Sequence, residues 1–341
     1  MSAGETRDGV SLTHLDQPLF DEAGATKGDL VEYLDAVGDR IIPQLAGRPL
    51  SVVRVRPGQP PFMQKNVPRY TPPWVATVPV WAEASKREVS YALCDDRRTL
   101  LWFANQRAVE YHPTLSLAAR PHRPTHLVLD IDPPSGEAFE LVVRAAFLVR
   151  EALAEVGLAG AVKTSGAKGV HVIVPIDTES DGEDGGDGGA RDGAEEEAQG
   201  WAAAEAAAAV TRAIAARAER LDPALATTAF IREDRGGKVF LDSTRAGGAT
   251  VAAVYSPRVR PGVPVSFPVP WADLDRVTPA DFTVHTAAGL LGDGDPWASQ
   301  LPAPQRLSAD LIEEGRAIPV ARVQAMHEGK RRARARREAG G

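Results

Sequence analysis

The chain has 341 residues, 43% of them hydrophobic, enough to bury a large core as one big domain or two lobes. No apolar run approaches the length of a membrane span, the N-terminal "MSAGETRDGV" lacks a signal-like apolar stretch, and Cys94 is the only cysteine, which excludes a transmembrane protein and a disulfide or cysteine-zinc scaffold and points to the cytosol. The net charge of −7 hides a segregation: residues 177–200 hold ten acids and one arginine, a charge of −9, the remainder carries about +2, and the C-terminal "GKRRARARREAGG" is strongly basic, as in proteins that meet nucleic acid or that carry two solvated, partnerless segments.

Along the chain, residues 1–9 are expected to be flexible. Thr26 followed by Asp29 resembles a capping box, and Leu30, Tyr33, Leu34 and Val37 then fall on one face of a packed helix. Residues 57–74, "PGQPPFMQKNVPRYTPPW", are proline-rich and predict a loop exposing Phe62, Met63, Lys65 and Arg69. Such a loop suits base stacking, or is anchored in the core by Phe62. "VSYALCDDRRTLLWFAN" reads as two strands around an Asp95-Asp96 turn, and "THLVLDID" as a third strand. A helix capped by Ser135 follows to about Gly157. After the strand "VHVIVPI" the acidic segment 177–200 has too little apolar content to pack and predicts disorder. The alanine-rich 201–220 predicts a helix, "GKVFLDS" a strand, and 306–341 a C-terminal helix with a basic tail. Strands interspersed with helices, without a strict βαβ repeat, indicate a mixed-sheet α/β or α+β fold over residues 10–305.

The chemistry concentrates in three of these strands. In "THLVLDID" the period of two sends Asp130 and Asp132 to one face, about 6.5 Å apart, near enough to converge on one or two divalent ions or to form only a turn before Pro133. "GKVFLDS" places Lys238, Phe240 and Asp242 on one face, and a third carboxylate makes a two-metal phosphoryl-transfer site plausible. In "VKTSGAKGVHVIVPI" the backbone around Gly166 and Gly169, the Ser165 hydroxyl and the Lys168 ammonium suit a phosphate or an ordinary glycine turn. This is not a Walker A loop, since an extended segment follows it rather than a helix. His171 points opposite to Val170, Val172 and Val174, toward a phosphate rather than the core. The seven histidines are scattered along the chain, which argues against zinc.

"LVLDIDPP", "VKTSGAKGVHVIVPI" and "GKVFLDS" in that order resemble the three motifs of the archaeo-eukaryotic primase superfamily. With "LTHLDQPLF", "PFMQKN", "EYHPTLS", "YSPRVRPG" and "PWADL", residues 10–300 are similar to the polymerase domain of bacterial ATP-dependent DNA ligase D. The resemblance implies a primase-like core of mixed sheets flanked by helices, and a nucleotidyltransferase that fills gaps and extends ends, often with ribonucleotides and manganese. It implies that Asp130, Asp132 and Asp242 hold two divalent ions, Mn2+ or Mg2+. Ser165, Lys168 and His171, with His112, Lys238 and Arg258, would serve the NTP or dNTP, and Lys27, Phe62, Met63, Lys65 and Arg235 the DNA. A separate ATP-dependent ligase and Ku are the partners it implies, at the nucleoid of the cytoplasm.

The chain departs from that pattern in places. Gln17 stands where the family has a lysine in a 5′-phosphate pocket, leaving Lys27 of the pair, and Met63 replaces a phenylalanine. Ser243 and Ala246 replace a larger side chain and an asparagine after the third aspartate. A metal-dependent nuclease or phosphodiesterase could use the same carboxylates to deliver water. A DNA-end bridging module would need only the basic surface.

Overall fold

The computed structural model describes residues 5–82, 86–135, 138–178, 193–245 and 250–320. They form two compact units: one contains residues 5–123, 161–169 and 250–301, the other 124–160, 170–245 and 302–320. Each unit combines helices with sheet, as the mixed α/β reading expects. Among the described residues no helix is long and apolar enough to cross a membrane.

In the first unit, Thr26 closes the expected capping box with Asp29 at the start of helix Lys27–Ala36, whose Leu30, Tyr33 and Leu34 are buried. The chain turns at Val37 into a second helix, Gly38–Leu45. The strand Leu50–Arg56 runs antiparallel to Gln59–Gln64 on one side and Ala108–Pro113 on the other, and Arg87–Ala92 with Thr77–Ala82 extends the sheet. Separately, Ala161–Thr164 pairs with Pro268–Val269.

The second unit carries four strands in the order Ala226–Thr227, Val239–Asp242, His126–Asp132, Val170–Pro175. The first pairing is parallel and the other two antiparallel, so the sheet is mixed. Helices Phe139–Glu155 and Gly193–Leu221 pack in this unit, and Ala309–Ala317 lies on the latter. Small residues permit that last contact, since a Cβ at Gly315 would sit 1.9 Å from the Ala209 carbonyl oxygen. Arg217 locks it by donating from Nε and Nη2 to Glu314 at 3.1 and 2.6 Å.

Five expectations are corrected. Residues 59–64 form a strand despite Pro60 and Pro61, because a sheet edge tolerates residues that cannot donate. The second strand expected after Asp95-Asp96 is the helix Arg97–Asn105, because Asp96 accepts from the Thr99 N–H as its cap and Thr99–Ala104 all bury. The helix expected from Ser135 begins at Phe139 after Ala138, with no side-chain cap. The expected disorder of 177–200 fails at its C-terminal end, where Gly193–Leu221 is already helical; positions 179–192 lie outside the described residues. At the termini, Thr6–Arg7 pairs with Val10–Ser11 and Arg7 bonds Asp35 at 3.0 Å, so residues 5–9 are held rather than free. The basic tail from 321 onward lies outside the described residues.

Candidate active site

The register of the second unit's sheet sets His171 and Asp242 on either side of Asp130. Residues directly opposite in an antiparallel pair share a face, and Asp132, two positions along, shares it too. Asp130 and Asp242 are buried, and Asp132 is half-buried. The Arg245 guanidinium spans the first two, 3.2 Å from Asp130 Oδ2 and 3.4 Å from Asp242 Oδ2. Thr244 donates to the other oxygen of Asp242 from its backbone N–H at 2.8 Å and its hydroxyl at 2.6 Å. Burial, and then the neighbouring charges of Asp130 and Asp242, push the Asp132 carboxyl up to about 6, with Arg245 and Arg235 opposing.

These oxygen donors are of the type that holds Mg2+ or Mn2+. Among the described residues no three His, Cys, Asp or Glu side chains converge into a ready metal cage. Arg245 instead supplies the local positive charge. His171, expected to face a phosphate, is buried with Nε2 3.3 Å from Asp130 Oδ1, so its ring joins the carboxylate row. Lys238 is half-buried immediately before its strand. Arg235 lies 3.6 Å above the Phe240 ring and donates to the carbonyls of Ala229 and Phe230, both at 3.2 Å.

In the first unit, residues 165–169 form a closed loop in which the Ser165 N–H donates to Gly169 O at 2.9 Å. Ser165 Oγ accepts from the N–H groups of Ala167 and Gly169, each at 3.2 Å. The Gly169 N–H, expected to serve a phosphate, is therefore engaged inside the loop. Gly166 is required here, because its φ is +68° and a Cβ would lie 2.6 Å from Arg258 Cγ and 2.8 Å from the Ser266 nitrogen. Lys168 is exposed and has no ion-pair partner among the described residues.

Arg258 donates from Nη1 to the Ser165 carbonyl at 2.6 Å, and its Nε lies 3.2 Å from Glu110 Oε2. The same carboxylate oxygen lies 2.7 Å from His112 Nε2, and Oε1 accepts from the Val259 N–H at 2.8 Å. Glu110 opens the segment "EYHPTLS", and its position two residues before His112 on one strand places both on one face. Arg245 follows Asp242 by three residues, which is the sequence signal for their contact.

Lys27 is buried, donating to Thr13 O and, at 3.3 Å, to Thr13 Oγ1; burial and the nearby Arg107 depress its ammonium to about 8. Gln17 Oε1 accepts from Arg107 Nη2 at 3.0 Å. Phe62 and Met63 are successive residues of a strand, so they point to opposite faces rather than forming one stacking platform. Arg56 lies 4.7 Å from the Phe62 ring centroid, while Met63 and Lys65 are exposed.

The fold is that of a primase-type polymerase domain. The chain belongs to the LigD primase-polymerase domain family, whose model matches residues 26–203 and 194–297. It is 32% identical over 285 residues to the multifunctional non-homologous end joining DNA repair protein LigD of Mycobacterium tuberculosis, covering 80% of this chain and 34% of that protein. It is 30% identical over 282 residues to the bifunctional non-homologous end joining protein LigD of Bacillus subtilis, covering 81% of this chain and 41% of that one. The chain thus spans between a third and just over two fifths of these relatives' length. Among solved structures, the polymerase domain of Mycobacterium tuberculosis ligase D in complex with DNA superposes with a TM-score of 0.71 at 29% identity, covering 86% of this chain and 99% of that one.

Proposed function

We propose that the chain is a template-directed nucleotidyltransferase that adds nucleotides, ribonucleotides by preference, to a primer 3′-OH at DNA gaps and ends. The observation that carries this reading is the placing of Asp130, Asp132 and Asp242 on one sheet face, with Asp130 and Asp242 directly paired. Three carboxylates in a largely buried row are costly to ionise together: burial first, and then the charges of Asp130 and Asp242, raise Asp132, and a divalent cation would relieve that cost. Two Mg2+ or Mn2+ ions held there would stabilise charge on the transferring phosphate and activate the attacking oxygen.

The protein's own groups do the remaining work. Asp130, Asp132 and Asp242 bind the ions, and His171 and Thr244 fix the orientation of the first and third. Lys168, His112, Arg258 and Lys238 bind the nucleotide's phosphates and sugar. The Ser165 hydroxyl accepts two loop N–H bonds and keeps its own proton for a ribose 2′-OH. Lys27, Lys65 and Arg235 supply positive charge to DNA, and Phe62 and Met63 contribute apolar contact. An ATP-dependent DNA ligase activity and Ku would complete end joining in the cytoplasm, at the nucleoid.

Primer extension on gapped and overhanging DNA, with each NTP and dNTP and with Mg2+, Mn2+ or Co2+, tests the reading. Incorporation supports it. Shortened primers would favour the nuclease, and DNA binding without any chemistry the bridging module.

A further inference from the structure

We propose that Glu110 is a positioning residue of the nucleotide pocket, its carboxylate holding the His112 ring and the Arg258 guanidinium in the orientation that meets the incoming nucleotide. The proposal rests on the reading of His112 and Arg258 given above and names the group on which both depend. Glu110 is buried in the strand Ala108–Pro113, yet its two oxygens take two hydrogen bonds, from His112 and Val259, and an ion pair with Arg258. Oε2 lies 2.7 Å from His112 Nε2 and 3.2 Å from Arg258 Nε, and Oε1 takes the Val259 N–H at 2.8 Å. Arg258 carries the arrangement onward, donating to the Ser165 carbonyl at 2.6 Å and lying against Gly166, where a Cβ would clash with it. One carboxylate therefore anchors the His112 ring and the Arg258 guanidinium and, through the second, the backbone of the loop 165–169.

The chemistry of the anchor also determines which atoms remain for a ligand. Burial alone would raise the Glu110 carboxyl, but the His112 bond, Arg258 and the Val259 N–H outweigh it and hold the group down to about 2. An ionised carboxylate only accepts, so His112 Nε2 must carry a hydrogen. Nδ1 is then the ring atom left to the nucleotide, as lone-pair acceptor in the neutral ring and as donor in the imidazolium. On Arg258, Nε faces Glu110 and Nη1 faces Ser165, which leaves Nη2 for a phosphate oxygen.

The test compares Glu110→Gln, His112→Ala, Arg258→Ala and the Glu110→Gln/Arg258→Ala pair in the full chain. The measurements are the ATP dissociation constant with Mn2+, the DNA dissociation constant, Tm, and KM and kcat for single-nucleotide gap filling. Glu110→Gln should weaken ATP binding roughly tenfold, the scale of one charge-assisted hydrogen bond. It should raise KM more than it lowers kcat and leave DNA affinity within about twofold, with the double variant no weaker for ATP than Arg258→Ala within the same margin. Full additivity, an unchanged ATP constant, or equal losses of DNA and ATP binding overturn the proposal. If neither His112→Ala nor Arg258→Ala alters ATP binding, the nucleotide reading of the pocket fails and the proposal falls with it. If both alter it and Glu110→Gln does not, only the proposal falls. A nitrogen-15 NMR measurement on the wild type at alkaline pH is independent of any variant's folding. The neutral His112 ring should carry its hydrogen on Nε2, and an Nδ1–H tautomer overturns the proposal.

Discussion

Asp242 is the cross-strand partner of Asp130, so the third carboxylate reaches the first through sheet register alone, across more than a hundred residues of chain. Asp130→Ala with Asp132→Ala removes two of the three proposed metal ligands on that face. The double variant should fold normally, judged by circular dichroism, and incorporate nothing. Synthesis above about one percent of wild type contradicts the assignment, because metal ions supply several kcal/mol of transition-state stabilisation.

The raised Asp132 carboxyl gives the metal-free protein a characteristic pH response. With its folded value near 6 and an unfolded value near the ordinary aspartate range, the folded state holds more protons between about pH 4 and 6. Its contribution to stability is present below that window and declines as pH rises through it. Mn2+ displaces the proton, so Mn2+ affinity should fall up to about tenfold per unit as pH drops below 6. Thermal melts with and without Mn2+ from pH 4.5 to 8 check both signs, and an Mn2+ affinity that is flat across pH 6 contradicts the prediction.

Residues 179–192 carry six acids and one arginine. Deleting them should leave Tm unchanged and DNA affinity equal or tighter, since like charge near DNA repels it. Extending the deletion to residue 200 removes the first turns of the helix Gly193–Leu221 and should lower Tm. Fluorescence anisotropy with a gapped duplex, beside melting curves, separates the two effects. Weaker DNA binding by the shorter deletion would show that the segment helps to hold DNA.

Gln17 accepts from Arg107, whose guanidinium also donates to the carbonyls of Pro18 and Leu19. In the proposed 5′-phosphate pocket, Lys27 is then the remaining lysine, and it is charged only below about pH 8. Gapped DNA with and without a 5′-phosphate should bind almost equally, and any difference should shrink as pH rises through 8. Gln17→Lys adds a charge-assisted contact worth about 1.5–3 kcal/mol and should widen the gap, while lowering Tm by setting a third cation beside Arg107 and Lys27. A strong phosphate preference in the wild type would assign the pocket to other residues.

Ser165→Ala removes the acceptor of two loop N–H bonds and the proposed donor to the 2′-OH. The ratio of kcat/KM for NTP over dNTP should fall by up to about tenfold, since a neutral hydrogen bond contributes roughly 0.5–1.5 kcal/mol. Lys168→Ala should raise KM for both nucleotide classes alike. An unchanged ratio in the first variant, or an unchanged KM in the second, removes the residue from its role.

What was legible in the sequence was whatever a single strand or a single turn encodes. The period of two placed Asp130 with Asp132, and the capping box announced the helix at Lys27. The contact of Glu110 with Arg258, and the roles of Arg245 and Arg107, were not legible, because each depends on a partner from a distant segment or on a turn whose path the sequence does not specify. The segment 59–64 was hidden by prolines that are tolerated at an edge. The helix 97–105 was hidden by an apolar run whose strand propensity lost to the Asp96 cap and to burial.

The guanidinium of Arg245 lying across Asp130 and Asp242 bears on the order in which the protein is made ready. A sheet bearing bare carboxylates on adjoining strands would resist closing until an ion arrived, and ion supply would then limit its biosynthesis. Because the chain brings its own counter-charge three residues behind Asp242, the strands can close as soon as they are synthesised. On the proposed two-metal reading, loading would then be an exchange of one cation for another on a finished scaffold rather than a step in building it.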